Sequence, residues 1–424
     1  MKYSFILGHN PTLSIMEILN VFLLFKINVQ IISFSEEALL LEIENEFSIK
    51  TFFSRLGGSI KMGEIEKDYK DYTDIDKLDI NEILKLFNIQ EDKKVYFGLS
   101  FYNLNAPAFF KIQEGVKKLA IKIKRKLQEQ GLKVRWVISQ EKNLSSVVVK
   151  KNKLIEQGAE ILILIDKDKV YLGKTLMVQE FEKYNQRDYN RPVRDIEKGM
   201  LPPKLAQIML NLGQIKKEQI ILDPFCGSGT ILQEASLMGY ENVIGSDIDF
   251  NSIKTTKKNL EWLHNKIKNQ KLVPSEVEGS KIKNKLFQCD ARELSKKIPF
   301  NSIDTIVSEP YLGPIKDIKN TTKIIRELSK LYLESFREFK KILKTQGVIV
   351  IIFPVFKTVK NELLFLSILD EIKKQGWKNN LKLPRELFQK YIIKITLRNS
   401  IIYSRPDQRV FREIFIFRKT ERKN

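Results

Sequence analysis

The sequence predicts an α/β chain whose C-terminal half is a doubly wound parallel sheet, preceded by two smaller α+β units. Three observations carry this. From about residue 201 the pattern alternates helix (PPKLAQIMLNL), strand (QIILDP), helix (TILQEASLMGY), strand (NVIGSD), helix (NSIKTTKKNLEWL), the cadence of parallel strands joined by helical crossovers. Residues 1–66 read β-α-β-β-α-β, a ferredoxin-like order. The length, 424 residues with 43% hydrophobic and 29% charged side chains, suits roughly two to three domains and excludes a disordered or collagen-like chain.

The elements follow in order. KYSFILG is strand-like, and Asn10-Pro11 opens a helix with Ile15, Ile18, Val21 and Leu24 at helical spacing. The runs VQIISF and ALLLEI are strands, a short helix covers Ile49 to Leu56, and SIKMGEI is the next strand after Gly57-Gly58. The acidic stretch within 67–92 reads as a linker or a short exposed helix. A second unit, 93–178, begins with strand KVYFGLSFY and a basic helix over about 110–130. Strands VRWVIS and SSVVVKKN, a helix near 151–157 and paired strands EILILID and KVYLGKT complete it. In the basic helix Ile112, Val116, Leu119, Ile123 and Leu127 form an apolar stripe, with Lys117, Lys118 and Lys122 among the cations beside it. That periodicity alone also describes an ordinary solvated face. A polar connector, 179–200, leads into the third unit, 201–424, in which 265–284 is expected to be a disordered insertion. Strands KLFQC, SIDTIVS and VIVIIF, helices 322–343 and near 359–374, and a hairpin of YIIKITL with RVFREIFIF finish the chain.

Charge is uneven. The net formal charge is +21, yet residues 1–90 carry 9 basic and 14 acidic side chains, so the positive surplus lies wholly beyond them. Such a surplus suits a polyanionic partner such as nucleic acid, or a Lys-rich solvated surface. Cys226 and Cys289 stand far apart and His9 and His264 are the only histidines, which argues against disulfide frameworks and zinc clusters, so no metal is expected. Neither a cleavable leader nor a run of 18 apolar residues is seen, and the expectation is a soluble cytoplasmic protein without a membrane partner.

Chemistry concentrates at strand ends. Asp223-Pro224-Phe225-Cys226-Gly227-Ser228-Gly229-Thr230 lies between an apolar strand and a helix, where free amides and a positive helix end face a ligand. It lacks the Gly-Lys-Ser/Thr of a nucleotide P-loop and the full G-x-G-x-x-G of a dinucleotide binder. The next strand ends in Asp247, about two dozen residues on, where a carboxylate receives ribose hydroxyls; Asp249 reads as a helix cap. Cys289-Asp290-Ala291 closes the third strand, and a carboxylate there can accept from an adenine amine. The fourth strand ends Ser308-Glu309-Pro310-Tyr311. An exocyclic amine is a poor nucleophile, and a site methylating it needs acceptors for its N–H bonds and a plate to hold the ring; a polar residue, a proline-fixed turn and an aromatic supply these.

These motifs resemble the S-adenosylmethionine-dependent amino-methyltransferases, whose fourth motif is usually Asp/Asn/Ser-Pro-Pro-aromatic. RDYNRPVRDIEKGMLPPKLAQIMLNL and LSSVVVKKNKL are further similar to the THUMP-domain tRNA guanosine N2-methyltransferases of the guanosine-10 type. The resemblance implies a Rossmann-like class I methyltransferase domain over 201–424, a THUMP-like RNA-binding unit over 93–178, S-adenosyl-L-methionine as cofactor and tRNA as partner; the sequence leaves the oligomeric state open, with a monomer favoured. It implies that Asp223 meets the methionine amino group, Gly227 and Gly229 the methionine backbone, Asp247 the ribose and Asp290 the adenine, with Phe225, Thr230 and Ala291 beside them. Ser308 and the Pro310 turn would hold the amine, Tyr311 would stack on the base, and Lys117, Lys118 and Lys122 would meet RNA. Glu309 replaces the usual proline and Ser308 the commoner Asp; strand alternation sets Glu309 opposite Ser308, as a structural, substrate-positioning or accepting group. A DNA adenine or cytosine amino-methyltransferase and a catalytically silent tRNA-binding protein are the competing readings.

Overall fold

A computed structural model gives the architecture. It describes the chain except residues 71–74, 76–77, 107–114, 168, 195–198, 271–282, 315–320, 383, 385–386, 388–391, 407 and 421–424, and gives no side chains for 267–270 and 283. The chain divides into two compact units, one of Met1–Ile15, Phe25–Ser54 and Gly58–Glu182, the other of Met16–Leu24, Arg55–Gly57 and Lys183–Asn424.

The first unit holds one sheet of β1 (Lys2–Leu7), β2 (Val29–Phe34), β3 (Ala38–Ile43), β4 (Ser59–Tyr69), β5 (Val95–Asn103), β6 (Val134–Trp136), β7 (Gly158–Asp166) and β8 (Lys169–Val178), in the order β2-β3-β1-β4-β8-β7-β5-β6. The antiparallel β2-β3-β1-β4 portion has the ferredoxin-like arrangement, and β4 pairs directly with β8, so the sheet runs on into residues 93–178. A buried Lys61–Glu160 ion pair fastens β4 to β7, and Ser100 and Thr175 each donate to Glu160 at 2.6 Å. Every member is hydrogen-bonded, the condition under which a buried pair is tolerated. The helix Val116–Glu129 buries Leu119, Ala120, Ile123 and Leu127 and exposes Lys117, Lys118 and Lys122; residue 112 and the start of the expected helix lie outside the described residues.

Two expectations change here. Residues 146–151, read as a strand from their valines, form a helix, because the Ser145 hydroxyl accepts from Val148 N at 3.3 Å and caps it. Within 67–92, β4 runs on to Tyr69, and Leu78, Ile83 and Leu86 join the core around Phe97 and Leu119.

The second unit holds β9 (Ile220–Asp223), β10 (Asn242–Asp247), β11 (Lys283–Gln288), β12 (Ile303–Ser308), β13 (Leu343–Lys357), β14 (Leu363–Phe365), β15 (Trp377–Asn379), β16 (Ile401–Tyr403) and β17 (Val410–Lys419). The path is β11-β10-β9-β12-β13-β17-β15, with β9 through β13 parallel and β17 antiparallel. Strand order reverses between β9 and β12, which opens a crevice at the strands' carboxyl ends. Behind it Phe336 packs edge-on against Phe353, Trp377 and Phe417 with ring centroids 6.1, 5.8 and 5.3 Å apart; each buried aromatic contributes about 1.5–3 kcal/mol. That core fixes the sheet from which the site is hung.

The helix Phe250–Gln270 extends through the first part of the expected insertion at 265–284, whose middle lies outside the described residues. The expected helix near 359–374 is β14 followed by the short helix Leu369–Lys374. YIIKITL does not pair with β17 among the described residues. One edge of β17 is covered by β13, and the other is taken by β15 and by β16 further along the chain.

Candidate active site

At the strand reversal a cavity of about 1200 Å³ is lined by Asp223, Phe225, Gly227, Thr230, Asp247, Asp290, Ala291, Glu309, Pro310 and Tyr311, all singled out from sequence. Gly229 and Ser308, also expected there, are absent from its wall.

The β9 loop is held by its neighbours. Gly227 and Gly229 have φ of 51° and 81°, a region other residues enter at a cost. A Cβ on Gly229 would lie 2.7 Å from Thr256 Cγ2. Thr256 Oγ1 donates to Gly227 O at 2.8 Å, and Asn259 Nδ2 donates to Ser228 O at 3.0 Å. Helix Thr230–Leu237 starts immediately after. Asp247, at the end of β10, accepts from Gly227 N on Oδ2 and from Asp249 N on Oδ1, both at 2.9 Å. It therefore shapes the loop while facing the cavity. Asp249 accepts from Asn251 N at 2.9 Å, as a helix cap does.

Asp223 is 2% exposed. Its Oδ1 accepts from Ser308 Oγ at 2.6 Å and Phe225 N at 3.2 Å. Burial nevertheless pushes its carboxyl up to about 7, with those two hydrogen bonds opposing and the Asp247 and Glu309 charges adding to the rise. Asp290 is different: Arg292 reaches Oδ1 through Nε at 3.0 Å and Oδ2 through Nη2 at 2.6 Å, and this bonding holds the carboxyl below its usual range. The acceptor expected for an adenine amine is thus already chelated by a neighbour two residues away.

The end of β12 reverses the expected assignment of its two polar residues. Ser308, expected to face the amine, is fully buried and directs its hydroxyl to Asp223. Alternation along the strand then turns Glu309 into the cavity. Its Oε1 accepts from Arg412 Nε on β17 at 2.6 Å. Tyr311 is 53% exposed, and its carbonyl accepts from Tyr332 Oη at 3.2 Å, which fixes the turn beneath the ring.

Sequence reasoning missed three residues. Ile248, 59% exposed between Asp247 and Asp249, offers an apolar edge to the cavity; an apolar residue between two strand-end acids was the available signal. Arg412 was signalled by a charge inside the apolar run RVFREIFIF. Arg191, 4% exposed, donates through Nη1 to Thr230 Oγ1 at 2.8 Å and Ser228 Oγ at 3.3 Å, tying the connector to the loop.

A family model described as "RMKL-like, methyltransferase domain" matches residues 191–364, which contain all of these strand ends except β17. A second, "DNA methylase", matches 89–258 and stops before β12. The chain is 37% identical over 147 residues to the tRNA (guanine(10)-N2)-dimethyltransferase of Methanothermobacter thermautotrophicus, covering 34% of this chain and 37% of that one. It is 30% identical over 147 residues to a protein of Methanothermococcus thermolithotrophicus named "Probable tRNA (guanine(10)-N2)-dimethyltransferase", covering 35% of this chain and 77% of the relative. The chain belongs to the tRNA (guanine-N2) methyltransferase family. Matches to three curated archaeal members span 37 to 50% of those members' length. The crystal structure of TrmN from Thermus thermophilus shares the fold, with a TM-score of 0.55 at 14% identity over 99% of this chain and 100% of that one. In this family member no described helix is long and apolar enough to cross a membrane, and no described cluster of His, Cys, Asp and Glu could hold a metal.

Proposed function

We propose that the protein is an S-adenosylmethionine-dependent tRNA methyltransferase acting on the exocyclic N2 amine of a guanosine, guanosine 10 of tRNA. The observation that carries this is the convergence of Asp223, Asp247, Asp290, Glu309 and Tyr311 on one cavity at the strand reversal. The donor set fits the cofactor. Asp223 is an acid at the cavity wall whose carboxyl is raised to about 7 by burial, and the methionine ammonium would pair with its ionised form. Gly227 lines the cavity beside it, with Gly229 holding the turn behind, Asp247 and Ile248 face the ribose and adenine, and Asp290 and Ala291 close the far side.

When bound, the cofactor would supply an electrophilic methyl on a sulfonium, and Asp223, Gly227, Asp247 and Asp290 would hold it. The protein's part is placement. Tyr311 stacks on a base flipped from the RNA, the Pro310 turn directs its carbonyl toward the amine, and the β9 loop aligns donor and acceptor. The exposed cations Lys117, Lys118 and Lys122, in a THUMP-like unit, meet tRNA phosphates.

Mass spectrometry of nucleosides from tRNA incubated with the purified protein and cofactor tests the reading. N2-methylated guanosine is expected. Methylated adenine or cytosine from duplex DNA instead would support the DNA methylase reading, to which the match at 89–258 belongs.

A further inference from the structure

Resting on the guanosine reading above, we infer that Glu309, aimed by Arg412, reads the Watson–Crick edge of the substrate base and selects guanine. Beyond the β9, β10 and β11 ends the lining includes Glu309, Pro310, Tyr311, Leu312 and Gly313 after β12, with Arg412 of β17 beside Glu309. The other strand-end acids are committed. Asp247 uses both oxygens on backbone amides, Asp290 is chelated by Arg292, and Asp223 is buried with Ser308 on it. Glu309 gives one oxygen to Arg412 Nε at 2.6 Å. Its second oxygen has no hydrogen-bond partner among the described residues. Arg412 is itself 8% exposed, and its Nη2 lies 3.5 Å from Met200 O. The glutamate is therefore anchored at one oxygen rather than free to swing.

Base chemistry supplies the selectivity. Guanine places two donors side by side, N1–H and N2–H, and a carboxylate accepts from both. Adenine and cytosine set a ring acceptor next to their amine, so a carboxylate there meets a lone pair; uracil has no amine. Proline, usual at this position, could accept only through its backbone. In this chain the side chain adds an acceptor where the amine must be held.

The test uses a base that keeps the amine and loses the neighbouring donor. The methylated guanosine is first mapped with the wild-type protein, and a tRNA carrying 2-aminopurine at that position is prepared. Its N1 is an acceptor, so the wild type should favour guanosine in kcat/KM by about tenfold or more, the scale of one bidentate base contact. Glu309→Gln offers an acceptor to N2–H and a donor to N1, and the preference should collapse or invert, with S-adenosylmethionine affinity by calorimetry unchanged. An unaltered preference in a cofactor-binding Glu309→Gln protein overturns the inference. Arg412→Gln keeps the carboxylate and removes its anchor. Its turnover on guanosine should fall about tenfold with discrimination against 2-aminopurine retained; unchanged turnover removes Arg412 from the device. Should Glu309→Gln fail to fold, Glu309→Asp, which withdraws the carboxylate by one methylene, must narrow the preference. A wild type that methylates no tRNA guanosine refutes the functional reading itself, and the inference with it. An active wild type with an unaltered preference in the variant refutes the inference alone.

Discussion

Cofactor affinity should depend on pH through Asp223. Its carboxyl, 2% exposed and pushed up to about 7, is half protonated at neutral pH, whereas the ammonium it is proposed to meet needs it ionised. The ammonium of a free amino acid stays protonated throughout this range, so affinity should fall tenfold per unit of pH on the acid side of about 7. At pH 5.5 the loss is about thirtyfold from a group titrating near 7. Calorimetry with S-adenosylhomocysteine, which keeps the amino group, ribose and adenine, at pH 5.5, 6.5 and 7.5 measures it. The Asp223→Asn variant should lose the acid limb and bind at pH 7.5 about as weakly as the wild type at pH 5.5. Stability of the cofactor-free protein should move the opposite way. The unfolded chain ionises this group near 3.8 and the folded chain near 7, so between those values the folded state holds more protons and stability falls as pH rises. The full effect is on the order of 4 kcal/mol at about 1.4 kcal/mol per pKa unit. Asp223→Asn at pH 8 should then be at least as stable as the wild type while binding worse, a combination that simple damage cannot produce. Affinity that is flat from pH 5.5 to 7.5 in the wild type would refute the reasoning.

Further outcomes follow from the same geometry. Ser308→Ala removes a hydrogen bond that lowers the Asp223 pKa, so the acid limb of cofactor binding should move to higher pH; a limb that stays in place would uncouple the two residues. Gly229→Ala combines φ of 81° with a contact of 2.7 Å to Thr256 Cγ2 and should cost about 1–3 kcal/mol in denaturant unfolding. Adding Thr256→Ser, which removes Cγ2 and keeps the hydroxyl on Gly227 O, should recover only the contact, not the backbone strain. Replacing Lys117, Lys118 and Lys122 by Glu should weaken tRNA binding and flatten its salt dependence by a slope of about three. A merely solvated face predicts no change.

What was legible in the sequence was local. The Asp223–Thr230 run, the acids at Asp247 and Asp290 and the S-E-P-Y turn each sit where one strand ends, and strand-end chemistry is written in consecutive residues. Periodicity failed where a cap or a partner decided the outcome. The valines of 147–149 favour a strand, yet the Ser145 hydroxyl starts a helix there. The charge of 67–92 concealed Leu78, Ile83 and Leu86, which pack into the first unit.

The orientation of Ser308 and Glu309 shows the deeper limit. Alternation states that neighbours on a strand face opposite ways, but it does not state which of them faces the ligand. That choice is made by β9, whose Leu222 lies in register with Ile306 of β12. The register carries Asp223 to within 2.6 Å of the Ser308 hydroxyl, across 85 residues of chain. Once the buried acid has captured the hydroxyl, the following side chain must enter the cavity, and Arg412 arrives from β17, 103 residues further on, to hold it. Neither partner lies within the motif by which the strand end was recognised. A proline after Ser308 would leave Arg412 facing the cavity without a carboxylate, so the glutamate and the arginine form one unit, and changing either alone leaves a charge in the wall of the site without its partner.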